Sequence, residues 1–415
     1  MPEDLSAAAV ERAAERLQPV VRRTPLELSD RLTDSIGQPV LLKREDIQLC
    51  RSYKVRGAYN LISSLGPDQH RRGVVCASAG NHGQGVAFSC RQLQLHGRVF
   101  LPTNTSRQKR QRIEAIGGPW IELVFVGSSY DEAGEAAEAD GRRTGAVYVH
   151  PFDDPRTIAG QGTVAIEMAD QYPADIDTVV VPVGGGGLIS GVALWLREHR
   201  PATRILGAEP AGAASMRLAL AEGKPVDLPV MDTFVDGAAV GRVGTLTLPI
   251  VRDLVDDVVA VPEGAVCSEM LDLYQTEGII AEPAGALASA ALRLVTPQGS
   301  GAVMCIVSGG NNDVSRYADI VERSLLYEGL RHYFLVTFTQ APGSLRRFLD
   351  DVLCAGEDIV VFEYVKKNNR ETGPALVGIE LERADDLAGL LERMEASPLD
   401  VERVSPGSSL FSFLA

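Results

Sequence analysis

The chain has 415 residues, of which 45% are hydrophobic and 23% are charged, and its formal net charge is −15. This length suggests more than one domain, and the composition is typical of a soluble globular protein. An acidic surface repels nucleic acid and anionic lipid, so the charge balance argues against both as partners.

The sequence shows no sign of membrane insertion, secretion or disulfide bonding. It contains no run of about 18 apolar residues, which a membrane span requires. Residues 1–17 are acidic and lack the basic region and apolar stretch of a secretion signal. The six cysteines form no CxxC pair, which favours a reducing compartment over a disulfide scaffold or a zinc site. We therefore expect a cytoplasmic protein.

Apolar β-branched runs alternate with Ala- and Leu-rich helical patterns from residue 40 to about residue 315. Near-continuously apolar runs are typical of strands buried on both faces, and their alternation with helices predicts a parallel sheet with right-handed crossovers. Ligands of such α/β proteins bind at the carboxyl ends of the strands. The predicted strands are VLLKRED (40–46), GVVCASAG (73–80), RVFLPT (98–103), IELVFV (121–126), DTVVVPVGGGG (177–187), RILGAE (204–209) and GAVMCIVSGG (301–310).

Lys54 lies in RSYKVRGA (51–58), after a predicted strand and at the start of a helical stretch. Backbone N–H groups at a helix start disfavour the protonated form of a lysine, and a partly neutral lysine can form a Schiff base. An isolated lysine is more often a solvated helix residue. The reactive interpretation therefore depends on the loops that accompany Lys54.

Four consecutive glycines, Gly184–Gly187, end a predicted strand and lead through Leu188 into a helix. Glycines let backbone N–H groups turn toward an anion, and the helix N-terminus adds a favourable dipole. The run is neither GxGxxG nor a P-loop, and many doubly wound proteins use similar loops for nucleotides. By itself it predicts a phosphate-sized anion site or a flexible turn.

A second loop, SAGNHGQG (78–85), also follows a strand and opens a helix. The Asn81 amide can hydrogen-bond a ring hydroxyl, while Ser78 and the N–H groups of residues 79–82 can hold a substrate carboxylate. His82 is a candidate general base, although a histidine at a helix start also caps or packs.

Two further loops contribute polar groups at predicted strand and helix ends. Ser308 in VSGGNND (307–313) ends a strand, where its hydroxyl can face a pyridine nitrogen. Glu282 in EPAGA (282–286) begins a helix, where it is either a pocket acid or a partner of the helix dipole.

The pattern changes after about residue 328. Strands are predicted at 332–340, 358–367, 374–382 and 399–405, and helices at 342–356 and 385–397, with a polar turn at 367–373. The order β-α-β-β-α-β is that of a ferredoxin-like module. We therefore expect a catalytic domain over residues 1–328, with a small lobe at roughly 55–150 inserted in it, and a second domain over residues 329–415.

Together these loops resemble those of the fold type II, or tryptophan-synthase-β-like, pyridoxal-phosphate enzymes, and within them the biosynthetic threonine dehydratases. The resemblance covers nearly the whole chain and rests on an ordered set of motifs. These are SYKVRGAYN, SAGNHGQGVA, HPFDDPRTIAGQGT (150–163), VPVGGGGL, FVDGAAVGRVG (234–244), EPAGA and VSGGN. The fold that it implies is an α/β catalytic region of two parallel-sheet lobes, followed by an α+β ferredoxin-like, ACT-like domain.

The resemblance implies three groups of site residues and no metal ligand. Its catalytic residues would be Lys54, which bonds the cofactor and carries protons, and Ser78. The residues that bind pyridoxal 5′-phosphate would be Lys54, Asn81, Gly184, Gly185, Gly186, Gly187, Leu188 and Ser308. The residues that contact the substrate would be Ser78, Ala79, Gly80, Asn81, His82, Phe152 and Gly237.

The implied activity is that of a threonine ammonia-lyase, which converts L-threonine to 2-oxobutanoate and ammonia in the first committed step of isoleucine biosynthesis. The hydroxyl of Ser308 is a far weaker acid than a carboxylic acid, so the ring nitrogen is expected to stay neutral. A neutral ring is a weaker electron sink, which favours prompt loss of the β-hydroxyl over transamination.

Two positions separate the chain from similar serine racemases. Those enzymes carry a second serine where this chain has Ala79, which cannot move a proton, so racemisation should be minor. They also hold a divalent metal after a strand that ends in Glu. Here Glu209 is followed by PAGAAS, with Ser215 near the position of an expected Asp. We expect no divalent metal, and a monovalent cation stays open.

Residues 329–415 resemble the ACT-like domain of short-form threonine dehydratases, in one copy. The family's effectors are isoleucine as inhibitor and, in many members, valine as activator. The turn Pro342–Leu345 is where such modules bind an amino acid. A plain dimerisation module is the alternative, because ferredoxin-like folds have many roles. The resemblance also implies a homotetramer.

Two other functions stay open at this point. One is another enzyme on the same scaffold, such as a catabolic serine/threonine dehydratase, a threonine synthase or a β-replacing synthase, and some activity on L-serine is expected in any case. The other is a non-catalytic amino-acid sensor that kept the scaffold.

Overall fold

The computed structural model describes residues 4–364, 371–405, 408 and 411. They form two compact units, Met1–Asp313 and Val314–Ala415. The sequence predicted a boundary after residue 328, and the segment between the two positions contains the helix Tyr317–Tyr327. No helix in the described ranges combines the length and the apolar character that a membrane span requires.

The strands of the first unit include all seven predicted runs and three short or weakly patterned ones. In chain order they are β1 (Leu26–Leu28), β2 (Val40–Arg44), β3 (Val74–Ala77), β4 (Gly97–Leu101), β5 (Ile121–Phe125), β6 (Val147–Tyr148), β7 (Ile176–Pro182), β8 (Arg204–Pro210), β9 (Asp257–Val261) and β10 (Ala302–Val307).

The helices of the first unit follow the strands in the predicted alternation. They are α1 (Ala7–Leu17), α2 (Asp30–Ile36), α3 (Lys54–Ser63), α4 (Pro67–Arg72), α5 (Asn81–Leu93), α6 (Arg107–Gly117), α7 (Tyr130–Thr144), α8 (Pro155–Gln171), α9 (Gly187–His199), α10 (Ser215–Glu222), α11 (Thr247–Leu254), α12 (Glu263–Glu277) and α13 (Pro283–Ala290).

Two sheets divide the first unit into a large and a small lobe. The large sheet has the order β1-β2-β10-β7-β8-β9, in which only β1 is antiparallel to its neighbour within the described strands. The small sheet, β5-β4-β3-β6, is parallel throughout its described pairs. Its strands fall between β2 and β7 in the chain, so the small sheet is formed by a segment inserted between two strands of the large sheet.

The central strands are apolar because helices cover both of their faces. Every residue of β10 is buried, as is nearly every residue of β7. The main core packs Val179 and Met304 of these strands against Val164 of α8 and Val192 of α9. The sheets confirm the parallel α/β arrangement that the apolar sequence runs predicted. The carboxyl ends of such strands are where a ligand site is expected.

The second unit confirms the ferredoxin-like prediction. Its elements are α14 (Tyr317–Tyr327), β11 (Arg331–Thr339), α15 (Ser344–Asp351), β12 (Glu357–Tyr364), β13 (Thr372–Leu381), α16 (Leu387–Ala396) and β14 (Asp400–Arg403). They form an antiparallel sheet of order β12-β13-β11-β14. Of the predicted turn at 367–373 and strand at 358–367, residues 365–370 lie outside the described ranges.

The helices α8 and α9 approach each other closely because glycines face each other between them. A Cβ built on Gly191 of α9 would lie 2.2 Å from the carbonyl oxygen of Ile158 and 2.6 Å from the nitrogen of Gly162, both in α8. Side chains at these positions would separate the two helices. The contact matters for the site because the N-terminus of α9 is the four-glycine loop.

Gly191→Ala should therefore destabilise the first unit by about 1–3 kcal/mol, since the backbone atoms that it meets cannot rotate away. Gly134→Ala is the matched control, because a Cβ on Gly134 in α7 meets no heavy atom within 4 Å. The control should raise stability by about 0.5–1 kcal/mol through its better helix propensity. Urea unfolding followed by tryptophan fluorescence measures both, and equal effects would contradict the close packing of α8 and α9.

Candidate active site

Loops at the carboxyl ends of the large sheet meet the start of α3. The backbone nitrogen of Tyr53 donates to the carbonyl of Ser308 at 3.2 Å, and Ser52 forms an antiparallel bridge with Gly309. These bonds attach the segment before Lys54 to the loop that follows β10. The first residue of α3 is thus held at the edge of the sheet where ligands of α/β proteins bind.

The amine of Lys54 is partly buried and contacts a neutral acceptor. Its Nζ donates to the carbonyl oxygen of Pro151 at 3.1 Å and lies 5.3 Å from the centroid of the Tyr53 ring. Burial lowers the pKa of Lys54 to about 8, and the charge of Glu282 offsets part of that shift. About one tenth of the amine would then be neutral, and hence nucleophilic, at pH 7, far more than for an exposed lysine.

The four-glycine loop is a cradle that side chains would fill. A Cβ on Gly185 would lie 2.4 Å from the ring of Phe152, and one on Gly187 would lie 2.9 Å from the Cα of Phe152. A Cβ on Gly184 would meet the carbonyl oxygen of Ala238 at 2.8 Å. Gly186 has a φ of +94°, in the left-handed region that favours glycine.

Side chains from two other loops hold the cradle in shape. The hydroxyl of Thr247 donates to the carbonyl oxygen of Gly185 at 2.6 Å. The carboxylate of Asp153 accepts from the backbone nitrogens of Thr245 and Leu246 at 2.9 and 2.8 Å. Asp153 follows Phe152, so this bond joins the loop after β6 to the loop before α11. The motif HPFDDPRTIAGQGT contains Asp153 without a predicted role, and Thr247 lies just beyond the motif FVDGAAVGRVG.

One cleft joins Lys54 to the cradle. Its lining includes the predicted residues Lys54, Phe152, Gly184, Gly185, Gly186, Gly187, Leu188 and Gly237, together with Tyr53, Pro182 and Val240. The predicted residues Ser78 to His82 and Ser308 are outside this lining. Ser308 is joined to the cleft lining by the hydrogen bond from the backbone nitrogen of Tyr53 to its carbonyl oxygen.

The loop after β3 places the predicted substrate residues at the N-terminus of α5. The Ser78 hydroxyl accepts from the backbone nitrogen of Gly80 at 3.2 Å, and Ala79 lies between them. Asn81 is the first residue of α5, and its side-chain Nδ2 donates to Oε1 of Glu282 at 2.5 Å. The start of this helix offers backbone N–H groups and a favourable dipole to a carboxylate.

His82 has the environment of a packed histidine. It is 3% exposed, and its Nε2 lies 2.7 Å from the carbonyl oxygen of Val149, to which it donates. Burial, followed by the charge of Lys54, lowers the pKa of His82 to about 3. The ring is therefore neutral with its Nε2 proton committed to a carbonyl, which argues against the general-base interpretation of His82.

Ser308 and Gly237 both lie close to the start of α13. The Ser308 hydroxyl donates to the carbonyl oxygen of Ala284 at 2.9 Å and is almost fully buried. A Cβ on Gly237 would lie 2.8 Å from the Cβ of Ala284 and 3.4 Å from Oε1 of Glu282. Gly237 thus leaves space beside the carboxylate of Glu282 that a larger residue would occupy.

Glu282, for which the sequence left two interpretations open, bonds the start of α5 and the loop after β10. It precedes α13, but its side chain makes no cap bond to that helix. Its Oε2 accepts from the backbone nitrogen of Asn311 at 3.1 Å, in addition to the bond from Asn81. Burial and the charge of Asp236 raise the pKa of Glu282 to about 7.

A buried ion network, which sequence reasoning missed, holds α3. Arg56, in the first turn of that helix, makes a two-bond pair with Glu45 at 2.8 Å and bonds Glu167 at 2.7 Å. Lys43 also bonds Glu167, at 2.6 Å. Arg56 and Lys43 are fully buried. The sequence signal that could have indicated this network is Arg56, a charged residue two positions after Lys54 in RSYKVRGA.

The residues around the cleft suit the cofactor that the resemblance implies. A phosphate requires the concave run of N–H groups that Gly184–Gly187 provide at the start of α9. The aldehyde of pyridoxal phosphate requires a nucleophilic amine, and the lowered pKa of Lys54 supplies it. Both groups lie in one cleft, which is the fit that the cofactor needs.

The segment after β8 has the form of a helix cap. Oε2 and Oε1 of Glu209 accept from the backbone nitrogens of Met216 and Arg217 at 2.9 and 3.0 Å. Among the described residues, no group of three or more His, Cys, Asp or Glu side chains is arranged to hold a metal ion.

Comparison with known proteins gives a consistent set of relatives. The chain matches the family model of pyridoxal-phosphate dependent enzymes over residues 17–309 and that of the C-terminal regulatory domain of threonine dehydratase over residues 322–414. It is 57% identical over 413 residues to a biosynthetic L-threonine dehydratase of Mycobacterium tuberculosis, covering 99% of this chain and 96% of that protein. A Bacillus subtilis protein of the same name is 46% identical and covers 97% of this chain and 96% of its own length.

Solved structures agree with these relatives. Threonine deaminase isoform 2 of Solanum lycopersicum superposes with a TM-score of 0.71 at 37% identity, covering 76% of this chain and 94% of that one. A maize serine racemase gives the same TM-score at 35% identity, covering 78% of this chain and 98% of that one.

The reactivity of Lys54 should rise as pH rises through about 8, because the neutral amine is the nucleophile. Competitive acetylation of the cofactor-free chain, followed by peptide mass mapping, measures this midpoint. Replacing the nearby carboxylate in Glu282→Gln should move the midpoint to lower pH, since that charge raises the pKa of Lys54. A midpoint near the ordinary lysine value of roughly 10.4 would contradict a buried, activated amine.

Proposed function

We infer that this chain, which belongs to the pyridoxal-phosphate-dependent enzymes and within them to the biosynthetic threonine dehydratases, converts L-threonine to 2-oxobutanoate and ammonia. It is a lyase whose reaction begins isoleucine biosynthesis. The observation that carries this function is the full-length identity of 57% to a biosynthetic L-threonine dehydratase. An amine of lowered pKa beside a four-glycine cradle supplies the chemistry that the reaction needs.

The cofactor would be held at both ends by residues of the large lobe. We assign its phosphate to the backbone N–H groups of Gly184 to Leu188 and its covalent bond to Lys54. Asn81 would contact the ring hydroxyl and Ser308 the ring nitrogen. The Ser308 hydroxyl now donates to the carbonyl of Ala284, so it would have to turn to donate to the ring. When bound, the cofactor supplies a conjugated ring that accepts electrons from the substrate α-carbon.

Proton transfer falls to Lys54 in this assignment. With substrate bound, the free Lys54 amine would act as the base, and its lowered pKa would leave it able to remove the α-proton. The carbonyl of Pro151, 3.1 Å from Nζ, keeps the amine oriented within the cleft. The α-proton and the β-hydroxyl would leave together as water, and the released enamine would take up one water to give the 2-oxo acid and ammonia.

The substrate carboxylate would bind the loop from Ser78 to His82, where α5 begins. The helix dipole and the N–H groups of this loop favour an anion. Ala79 offers no proton donor on the opposite side of the substrate, which favours elimination over racemisation despite the likeness to a serine racemase. Phe152 and the space beside Gly237 would contact the substrate side chain.

Turnover of L-serine is expected as a secondary activity, because serine lacks only a methyl group relative to threonine. A missing methyl group in an apolar pocket changes the rate by roughly 10–200-fold. A non-catalytic amino-acid sensor, the rival from a different class, would keep the fold but leave Lys54 without a bound cofactor.

The second unit is the regulatory domain, and we propose that its effector site is a groove beside α15. The groove has a volume of about 410 Å³. Phe338, Leu345, Leu349, Phe362 and Tyr364 provide apolar walls, and Ser344 and Gln340 provide polar groups. Of the predicted effector turn at residues 342–345, Gly343, Ser344 and Leu345 line the groove. An apolar groove with a few polar groups suits a branched-chain amino acid, isoleucine as inhibitor and valine as a second ligand.

We also propose that the enzyme is a cytoplasmic homotetramer, as the family resemblance implies. Buried thiols such as Cys76, Cys90 and Cys305 suit a reducing compartment. Light scattering at micromolar concentration tests the tetramer. An effector acts across such an assembly only if it binds two quaternary states with different affinities.

Lys54→Ala should lower the turnover of L-threonine by roughly 10³-fold or more, since it removes both the cofactor bond and the base. Lys224→Ala, at an exposed lysine, is the control and should leave turnover unchanged. The assay follows 2-oxobutanoate from L-threonine and pyruvate from L-serine. Retained activity in Lys54→Ala would contradict the proposed function. So would a wild-type protein that forms pyruvate from L-serine but no 2-oxobutanoate from L-threonine.

Leu349→Asp should raise the isoleucine concentration for half-inhibition by about tenfold or more, because it places a charge in an apolar groove. The rate without isoleucine should stay the same. Val360→Asp is the control, since Val360 is similarly exposed, 37% against 43% for Leu349, and lies outside the groove lining. Inhibition that is unchanged in Leu349→Asp would mean that isoleucine binds elsewhere.

A further inference from the structure

Asn311 lies at the centre of the bonds that connect the loops around Lys54. Its side-chain Nδ2 is 2.6 Å from Oδ1 of Asn81 and 2.8 Å from the carbonyl oxygen of Cys50. Its backbone nitrogen donates to Oε2 of Glu282 at 3.1 Å. Three segments that are distant in the chain, at residues 50, 81 and 282, therefore share one residue.

The first consequence concerns the orientation of the Asn81 amide. Its carbonyl oxygen accepts from Asn311, while its Nδ2 donates to Glu282 at 2.5 Å. The opposite orientation would set the carbonyl oxygen of Asn81 against a carboxylate and its Nδ2 against another amide donor. Asn311 therefore selects the side of Asn81 on which the NH2 group lies.

The second consequence concerns the turn that precedes Lys54. Cys50 and Arg51 have φ values of +59° and +54°, a left-handed conformation that residues other than glycine adopt rarely. The bond from Asn311 to the Cys50 carbonyl and that from the Gly310 nitrogen to the Arg51 carbonyl, at 2.9 Å, hold this turn. Ser52, Tyr53 and Lys54 follow it directly.

We propose that Asn311 is a positioning residue for the reaction, which fixes the orientation of the Asn81 amide and anchors the turn that precedes Lys54. The proposal rests on the proposed function, because Asn81 and Lys54 act only if the chain binds pyridoxal phosphate. Asn311 itself touches neither substrate nor reacting atoms in this assignment. Its effect should reach the reaction through Asn81 and Lys54.

Asn311→Asp is the sharpest variant, because it keeps size and shape but replaces the donor with an oxygen that faces the acceptors of Asn81 and Cys50. We expect kcat/KM for L-threonine to fall by about 10–100-fold, as for a small misplacement of reacting groups. The pH midpoint at which the absorbance of the bound cofactor changes should differ between Asn311→Asp and the wild-type protein. Asn311→Ala, which adds no charge, should change both readouts in the same way and serves if Asn311→Asp does not fold.

Asn312→Ala is the matched control. Asn312 neighbours Asn311, and its side-chain oxygen accepts from the nitrogen of Asp313 at 3.0 Å. It should keep the wild-type rate and the wild-type spectrum. Thermal unfolding of all variants identifies any general loss of stability. Combining Asn311→Ala with Asn81→Ala should cost less than the product of the two separate losses, because both act through the same amide.

The proposal would be overturned if the Asn311 variants had the same kcat/KM and the same cofactor titration as Asn312→Ala. It would also be overturned if the loss of kcat/KM in the double variant equalled the product of the two single losses. A wild-type chain that binds no pyridoxal phosphate and forms no 2-oxobutanoate would instead refute the proposed function. The two failures are thus distinguishable.

Discussion

A lysine amine held away from water without a close carboxylate partner is the constraint on which the site depends. Lys43 shows the alternative, since its buried amine lies 2.6 Å from Glu167 and serves the core. Lys54 instead contacts the neutral carbonyl of Pro151. Burial opposes the charged form of an amine, and a carbonyl compensates for it less than a carboxylate does. The same desolvation that costs stability leaves the amine reactive.

Several hydrogen bonds and ion pairs of the first unit hold the Lys54 amine beside the four-glycine cradle. The pair of Arg56 with Glu45 fixes the first turns of α3, although buried ion pairs add little net stability. Asp153 and Thr247 join the loops that shape the cradle. Their role is geometric, because a site of this kind tolerates little displacement between nucleophile and anion.

Seven strands and their parallel arrangement could be predicted from sequence, because buried strands are apolar throughout and the loops after them carry glycine and serine. The residues Lys54, Phe152 and Gly184 to Leu188 lie around one cleft, as expected for a site at strand ends. The roles of these residues remain predictions. The general-base interpretation of His82 was disfavoured only by its burial and its bond to Val149, which no local pattern reveals.

What sequence could not supply was the set of contacts between distant segments. Asn311 meets Asn81 and Cys50 across more than two hundred residues of chain, and a bond of this kind leaves no periodicity. Glu282 was noticed at a helix start, but its bonds to Asn81 and Asn311 could not be predicted from that position. Short strands such as β1 and β6 were missed because their few residues show no alternation.

The central claim is that the Lys54 amine bonds the cofactor while the glycine cradle holds its phosphate. Borohydride reduction of the chain after incubation with pyridoxal phosphate, followed by peptide mass mapping, tests it most directly. The account predicts a stable adduct on the peptide that contains Lys54, and its loss when inorganic phosphate competes for the cradle. An adduct on other lysines, with Lys54 unmodified, would contradict it.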